Sequence, residues 1–141
     1  MNWLYWALGS ALFAGLTAIL AKVGVEKIDS NLATALRTTV VVSFAWAIVI
    51  FSGAAGSLPR IGSRSVLFLV LSGLATGASW LCYFRALQLG QASQVAPVDK
   101  LSVVFVLLFA ALFLGEKVHW QTILGAALIV AGVVILSRQG D

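Results

Sequence analysis

The sequence predicts an all-α membrane protein of five transmembrane helices, and three observations carry that prediction. Of its 141 residues, 61% are hydrophobic and only 10% charged, where ordinary soluble domains carry about a quarter charged residues. Mean hydropathy is +1.04. The apolar residues fall into five blocks, each near the ~20 residues that cross a bilayer as a helix. None of the blocks shows the polar–apolar alternation over about ten residues that a barrel strand requires, so helices are the spanning structure left.

The first helix is expected over about 3–25, ending at the polar turn "EKIDS". Met1–Asn2 offers no basic leader, and the apolar run is too long for a signal peptide and lacks a small-residue cleavage site. The second helix is expected over 31–51, introduced by Asp29–Ser30–Asn31, residue types that cap helix N-termini. A Gly/Ser/Pro-containing loop, "SGAAGSLPRIGSR", then leads to a third helix over 65–87. After "QLGQAS" the fourth is expected over 94–114, with Ser93 as its N-cap and Gly115 closing it. The fifth is expected over 120–136, after "GEKVH" and before the tail "SRQGD". Trp3, Tyr5, Trp6 and Trp120 stand near segment ends, where aromatic belts form. The loops are too short for a second domain, so residues 1–141 are read as one transmembrane domain.

Composition also excludes function classes. The single cysteine, Cys82, leaves no intramolecular disulfide, and no Cys/His cluster predicts a metal or another cofactor. The lone His119 lies at a segment boundary and is read as interfacial. The pI near 9.7 reflects topology and headgroup contact in a chain of this kind and predicts no nucleic-acid partner. No catalytic residues stand out: HExxH is absent, and Gly-Asp occurs only as Gly140–Asp141. An enzyme is therefore not expected.

Five crossings place the termini on opposite sides of the membrane. The N-terminal side receives Arg60, Arg64 and Lys117, and the other side Lys27 and Arg138 in its loops and tail. Three charges against two give little orientation bias under the positive-inside rule. The chain either inserts one way with a weak signal, or inserts both ways and pairs antiparallel with itself.

Lys22, Arg37, Arg85, Asp99 and Lys100 all fall in the membrane half nearer the C-terminal side. For Lys22 and Arg85 the favoured reading is snorkelling to the headgroups. Arg37 and Asp99 sit deeper. A short aspartate cannot snorkel, so Asp99 must face protein or a water-filled cavity, with Arg37 or Lys100 as its partner. Residues 99 and 100 point ~100° apart on a helix. Two roles stay open for Asp99: a static pair with Arg37, or a site for substrate or proton. Thr76, Trp80 and Tyr83 share a helix face and predict either an aromatic cavity wall or a lipid-facing stripe. Gly73 with Gly77, and Gly125 with Gly132, are small-residue pairs that permit close helix approach. Pro97 lacks a backbone donor, so the carbonyl near residue 93 is expected to be free and the opening turn of the fourth helix loosened. The fifth helix holds no charge within its apolar span, which suits a packing or dimer role.

The stretch "SWLCYFRALQLGQASQVAPVDKLSVVFVLLFAALFLGEKVHWQTILGAALIVAGVVIL" resembles the second part of an EamA-like domain of the drug/metabolite transporter superfamily. The resemblance rests on "YFRAL", the A-S-x-V-A-P run, "LFLGEKV" and "GAALIVAGVVIL", and it extends to "TALRT" and "ALFAGLTAILAKVGV". It implies the short, five-helix type, one half of an inverted-repeat ten-helix transporter, which works as an antiparallel homodimer. It implies a bacterial inner-membrane location and export of small metabolites by alternating access. An accessory membrane subunit is the alternative. Glu116 matches the family's Glu in "GE" and reads as structural, while "PVDK" departs from the common P-V-F. The substrate-pathway candidates are Arg37, Trp80, Tyr83, Pro97, Asp99 and Lys100. Asp99 is also the candidate for proton coupling, and Lys22, Arg85 and Glu116 are secondary charges. Two cations against one carboxylate predict a solute bearing an anionic group.

Overall fold

A computed structural model describes residues 2–138. Met1 and residues 139–141, including the Gly140–Asp141 pair, lie outside the described residues. Six α-helices are formed: α1 (Trp3–Val25), α2 (Ser30–Phe51), α3 (Ser63–Leu89), α4 (Ala92–Asp99), α5 (Ser102–Phe109) and α6 (Trp120–Ser137). A 3₁₀ helix spans Ala54–Arg60 and a π-helical turn spans Ala110–Leu114. Taken by length and apolarity, α1, α2, α3, the stretch Ala92–Leu114 and α6 are the five membrane crossings. The chain is an all-helical, multi-pass membrane protein. Among the described residues no strand occurs.

The chain divides into two compact units: residues 1–20 with 89–141, and residues 21–88. In the second unit, the last turn of α1 and the facing ends of α2 and α3 enclose Val25, Ser30, Ala33, Thr34, Phe84 and Leu87, all buried. Val25 and Leu87 are completely shielded. The 3₁₀ helix folds back onto the end of α2, and Gly53 permits that reversal with φ +72°, a left-handed conformation that glycine adopts without penalty. In the first unit, α4 packs against α6, and Val133 of α6 is buried. The last crossing, expected to serve packing or a dimer, contacts α4 within this unit.

Most large apolar side chains of the single chain remain outward. Phe51 is 91% exposed and Phe113 79%. Lipid is as apolar as leucine, so such a surface is stable only in a bilayer or against further helices. Trp3, Tyr5, Trp6 and Trp120 are exposed near helix ends, as interfacial belt residues are.

Several boundaries differ from expectation for local reasons. The α2 N-cap is Asp29, whose Oδ1 accepts from the amides of Asn31 at 2.9 Å and Leu32 at 3.1 Å. The fourth crossing starts earlier than expected: Gln91 is its N-cap and Ser93 lies inside α4. The amides of Gln94 and Val95 both bond to the Gln91 carbonyl, so the first turn forms without a side-chain cap. Gly73, Gly77, Gly125 and Gly132 have open space where a Cβ would stand, so none of them marks a close helix approach within the chain.

Candidate functional site

Two polar stations lie in the crossings, one in each unit. The first is built on α2 and α3. Arg37 is the eighth residue of α2, which at ~1.5 Å per residue sets its Cα about 10 Å from the helix start. Its guanidinium carbon stands 4.2 Å from the centroid of the Trp80 ring and 5.5 Å from that of Phe84. Both distances lie within cation–π range. Phe84 is buried, and its ring meets Tyr83 edge-on at 6.4 Å. Trp80 is therefore neither a belt residue nor fully lipid-facing, because it floors an arginine. Thr76, expected on the same stripe, is exposed and spends its hydroxyl on the Ser72 carbonyl at 2.9 Å. Thr34 and Thr38 likewise donate to backbone carbonyls one turn earlier.

At the end of this unit two side chains cap one another's helices. Lys22, in the last turn of α1, donates to the Leu87 carbonyl of α3 at 2.6 Å. Gln88, in the last turn of α3, donates in return to the carbonyls of Val25 at 3.2 Å and Ile28 at 2.7 Å. Arg85 steadies Gln88 by donating to its Oε1 at 3.0 Å. Helix C-termini hold carbonyls without intrahelical partners and carry partial negative charge, so lysine is well placed there. Snorkelling is thus not the resting arrangement of Lys22, whose ammonium ties two helix ends together. Sequence reasoning missed Gln88 entirely, since it is neither charged nor part of a spaced motif.

The second station is built on α4 and α5. Pro97 is the sixth residue of α4 and Asp99 its last. The opening turn, expected to be loosened, is formed, and the α-helical pattern gives way just after the proline. Lys100 bonds to the Pro97 carbonyl at 3.0 Å, Leu101 to Val98 at 3.0 Å, Val103 to Lys100 at 3.1 Å and Val104 to Leu101 at 3.0 Å. Each bond runs three residues back, the 3₁₀ pattern, in place of the four of an α-helix. The shift follows from the earlier helix start. It puts Pro97 in the helix interior, where its ring crowds the carbonyl four residues back and bends the chain. α4 and α5 are therefore separate helices, joined through Lys100 and Leu101 directly after Asp99.

Of the two partners expected for Asp99, the structure supplies Lys100, at 3.4 Å. The ~100° between neighbouring side chains is bridged by the long lysine and by the tightened turn. The pair is open, with the lysine side chain 61% and the aspartate 40% exposed. Further along, the crossing ends in the π turn Ala110–Leu114. The amides of Gly115 and Glu116 both reach back to the Ala110 carbonyl, and Gly115 takes φ +65°. Glu116 thus contributes its backbone to closing the helix. Among the described residues no group of three or more His, Cys, Asp or Glu could hold a metal ion.

Comparison with known proteins sets these features in a family. The chain matches the EamA-like transporter family over residues 1–138. It is 54% identical over 136 residues to a protein of Sinorhizobium named "Uncharacterized transporter in cobO 3'region", with 96% of each chain covered. It is 31% identical over 129 residues to human "Solute carrier family 35 member G1", covering 91% of this chain but 34% of that protein. No solved structure matches it. The resemblance read from "YFRAL", "LFLGEKV" and the glycine-bearing last crossing is thereby borne out, and a bacterial inner membrane fits the Sinorhizobium relative. With five crossings and a match running nearly end to end, this chain belongs to the EamA-like transporter family and is a membrane transporter of small molecules.

Proposed function

We propose that the chain exports a small metabolite by alternating access, as an antiparallel homodimer in which two copies in opposite orientations together supply ten crossings. The break between α4 and α5 is the observation that carries this reading. Discontinuous helices at membrane depth are tolerated where they face protein or a water-filled path, and transporters place solute and ion sites at such breaks. Here the break coincides with Asp99 and Lys100 and is set by Pro97. Arg37, Trp80 and Tyr83 are further proposed residues of the substrate pathway. Asp99 is the proposed carrier of a coupling proton, being the deep carboxylate of the sequence. The dimer is supported by the odd number of crossings and by loop charges too balanced to fix one orientation.

The test is transport by purified protein in liposomes. A candidate metabolite loaded inside should leave faster under an imposed proton gradient than without one, and Asp99→Asn should remove the acceleration. Efflux in Asp99→Asn that keeps its full dependence on the gradient would overturn the proton role. A compartment-sensitive reporter on the C-terminus that registers from one side only would overturn the antiparallel pairing.

A further inference from the structure

We propose that Arg37 is an oxyanion-binding residue, taking the carboxylate or phosphoryl oxygens of a solute on the edge of its guanidinium while Trp80 and Phe84 hold its face. The inference rests on the transporter reading above and narrows it to a solute class.

The argument begins with what Arg37 lacks. A guanidinium presents five N–H donors in a planar fork and cannot lose its charge. Among the described residues Arg37 has no hydrogen-bond or ion-pair acceptor; its guanidinium lies over the Trp80 ring and near Phe84, with the Tyr83 phenol close enough to interact electrostatically. The neighbouring hydroxyls of Thr34 and Thr38 donate to their own backbone. Asp99, the deep carboxylate, is engaged by Lys100.

The rings do more than occupy space. The guanidinium carbon lies over the Trp80 ring, and its proximity to buried Phe84 restrains the long side chain before any ligand arrives. Such pre-organisation lowers the entropy lost on binding. A planar donor fork with a fixed face matches two oxygens of one carboxylate or phosphoryl group. A cationic solute would meet repulsion at the same place. The oxyanion could belong to a transported solute or to a phospholipid headgroup, since the chemistry is the same.

The test uses benzoate, inorganic phosphate, tetrapropylammonium and phosphatidylglycerol, titrated into the purified protein in a neutral detergent. Trp80 reports directly. Benzoate or phosphate should change tryptophan fluorescence saturably, tetrapropylammonium should not, and the change should vanish in Trp80→Phe but persist in Trp46→Phe. Calorimetry should show binding lost in Arg37→Gln and weakened about tenfold or more in Arg37→Lys, which keeps charge but loses the fork. If Arg37→Gln fails to fold by size-exclusion chromatography, Arg37→Lys decides. Saturable binding by phosphatidylglycerol that excludes benzoate, again dependent on Arg37, would assign the oxyanion to lipid. Wild-type protein that binds none of the three anions, or Arg37→Lys that binds as tightly as wild type, would overturn the inference. Anion binding by a protein that moves no solute in liposomes would uphold it and overturn the transporter proposal. Solute movement without anion binding would do the reverse.

Discussion

At the level of single residues, the arginine and the aspartate are held by different forces, so they should fail differently. Arg37 is held by two rings, and cation–π contacts contribute about 0.5–1 kcal/mol when exposed and ~2 when desolvated. Trp80→Leu keeps apolar bulk and removes the π face. It should lower unfolding stability in detergent by about 1 kcal/mol, read from the thermal midpoint. An unchanged midpoint would mean that the ring merely lies nearby. Asp99 is held by one open ion pair with its sequence neighbour, and exposed pairs contribute about 0–1 kcal/mol. Lys100→Met should therefore leave the thermal midpoint within about 1 kcal/mol of wild type while altering transport. A large loss of stability would show that the pair is a latch.

At the level of the element, the helix ends and the broken crossing show what the sequence does and does not expose. Asp29 and Gly115 were legible because their roles are local: a carboxylate accepts amides two and three residues on, and a glycine turns left-handed after the last helical carbonyl. Lys22 was legible as a charge near a helix end, but its acceptor is 65 residues away in the chain. Gln88 was invisible, its acceptors lying 63 and 60 residues away. Removing its two bonds leaves carbonyls of Val25 and Ile28 without this donor. Gln88→Leu should destabilise the protein by about 1–3 kcal/mol in a chemical-denaturation series, with Gln88→Glu no better, since a carboxylate cannot donate. Pro97 is legible as a disturbance, but the turn that gives way is not: the opening turn is formed and the pattern changes after the proline. The sequence marks a missing donor, whereas the register of the helix decides which turn absorbs the bend. Pro97→Ala restores that donor and should let α4 and α5 join. Amide exchange at residues 100–104 should then slow by an order of magnitude or more, as the 3₁₀ bonds become α-helical. Exchange there at the wild-type rate would assign the break to the charged residues and not to the proline.

At the level of the whole molecule, the question is how a chain with so little buried interior functions. Among the described residues six apolar ones are buried, so much of the apolar surface needs partners that lipid or another copy must supply. The five crossings were plain in the sequence, because span length and apolarity are one-dimensional quantities. The pairing of copies is not one-dimensional, and the loop charges give only its logic. Arg60, Arg64 and Lys117 stand against Lys27 and Arg138, a balance in which clearing one side of its charges should decide orientation. Replacing Arg60, Arg64 and Lys117 by alanine leaves none on their side against two, and should bring the C-terminus uniformly to the cytoplasm. Replacing Lys27 and Arg138 leaves none against three and should do the opposite. Each variant alone presents copies of one orientation and should lose transport; expressed together, they restore the antiparallel pair and should recover it. Reporter fusions verify each orientation, and efflux from cells carrying one or both variants measures the recovery. Full transport by either uniformly oriented variant alone would establish that the five-helix chain works without an inverted partner.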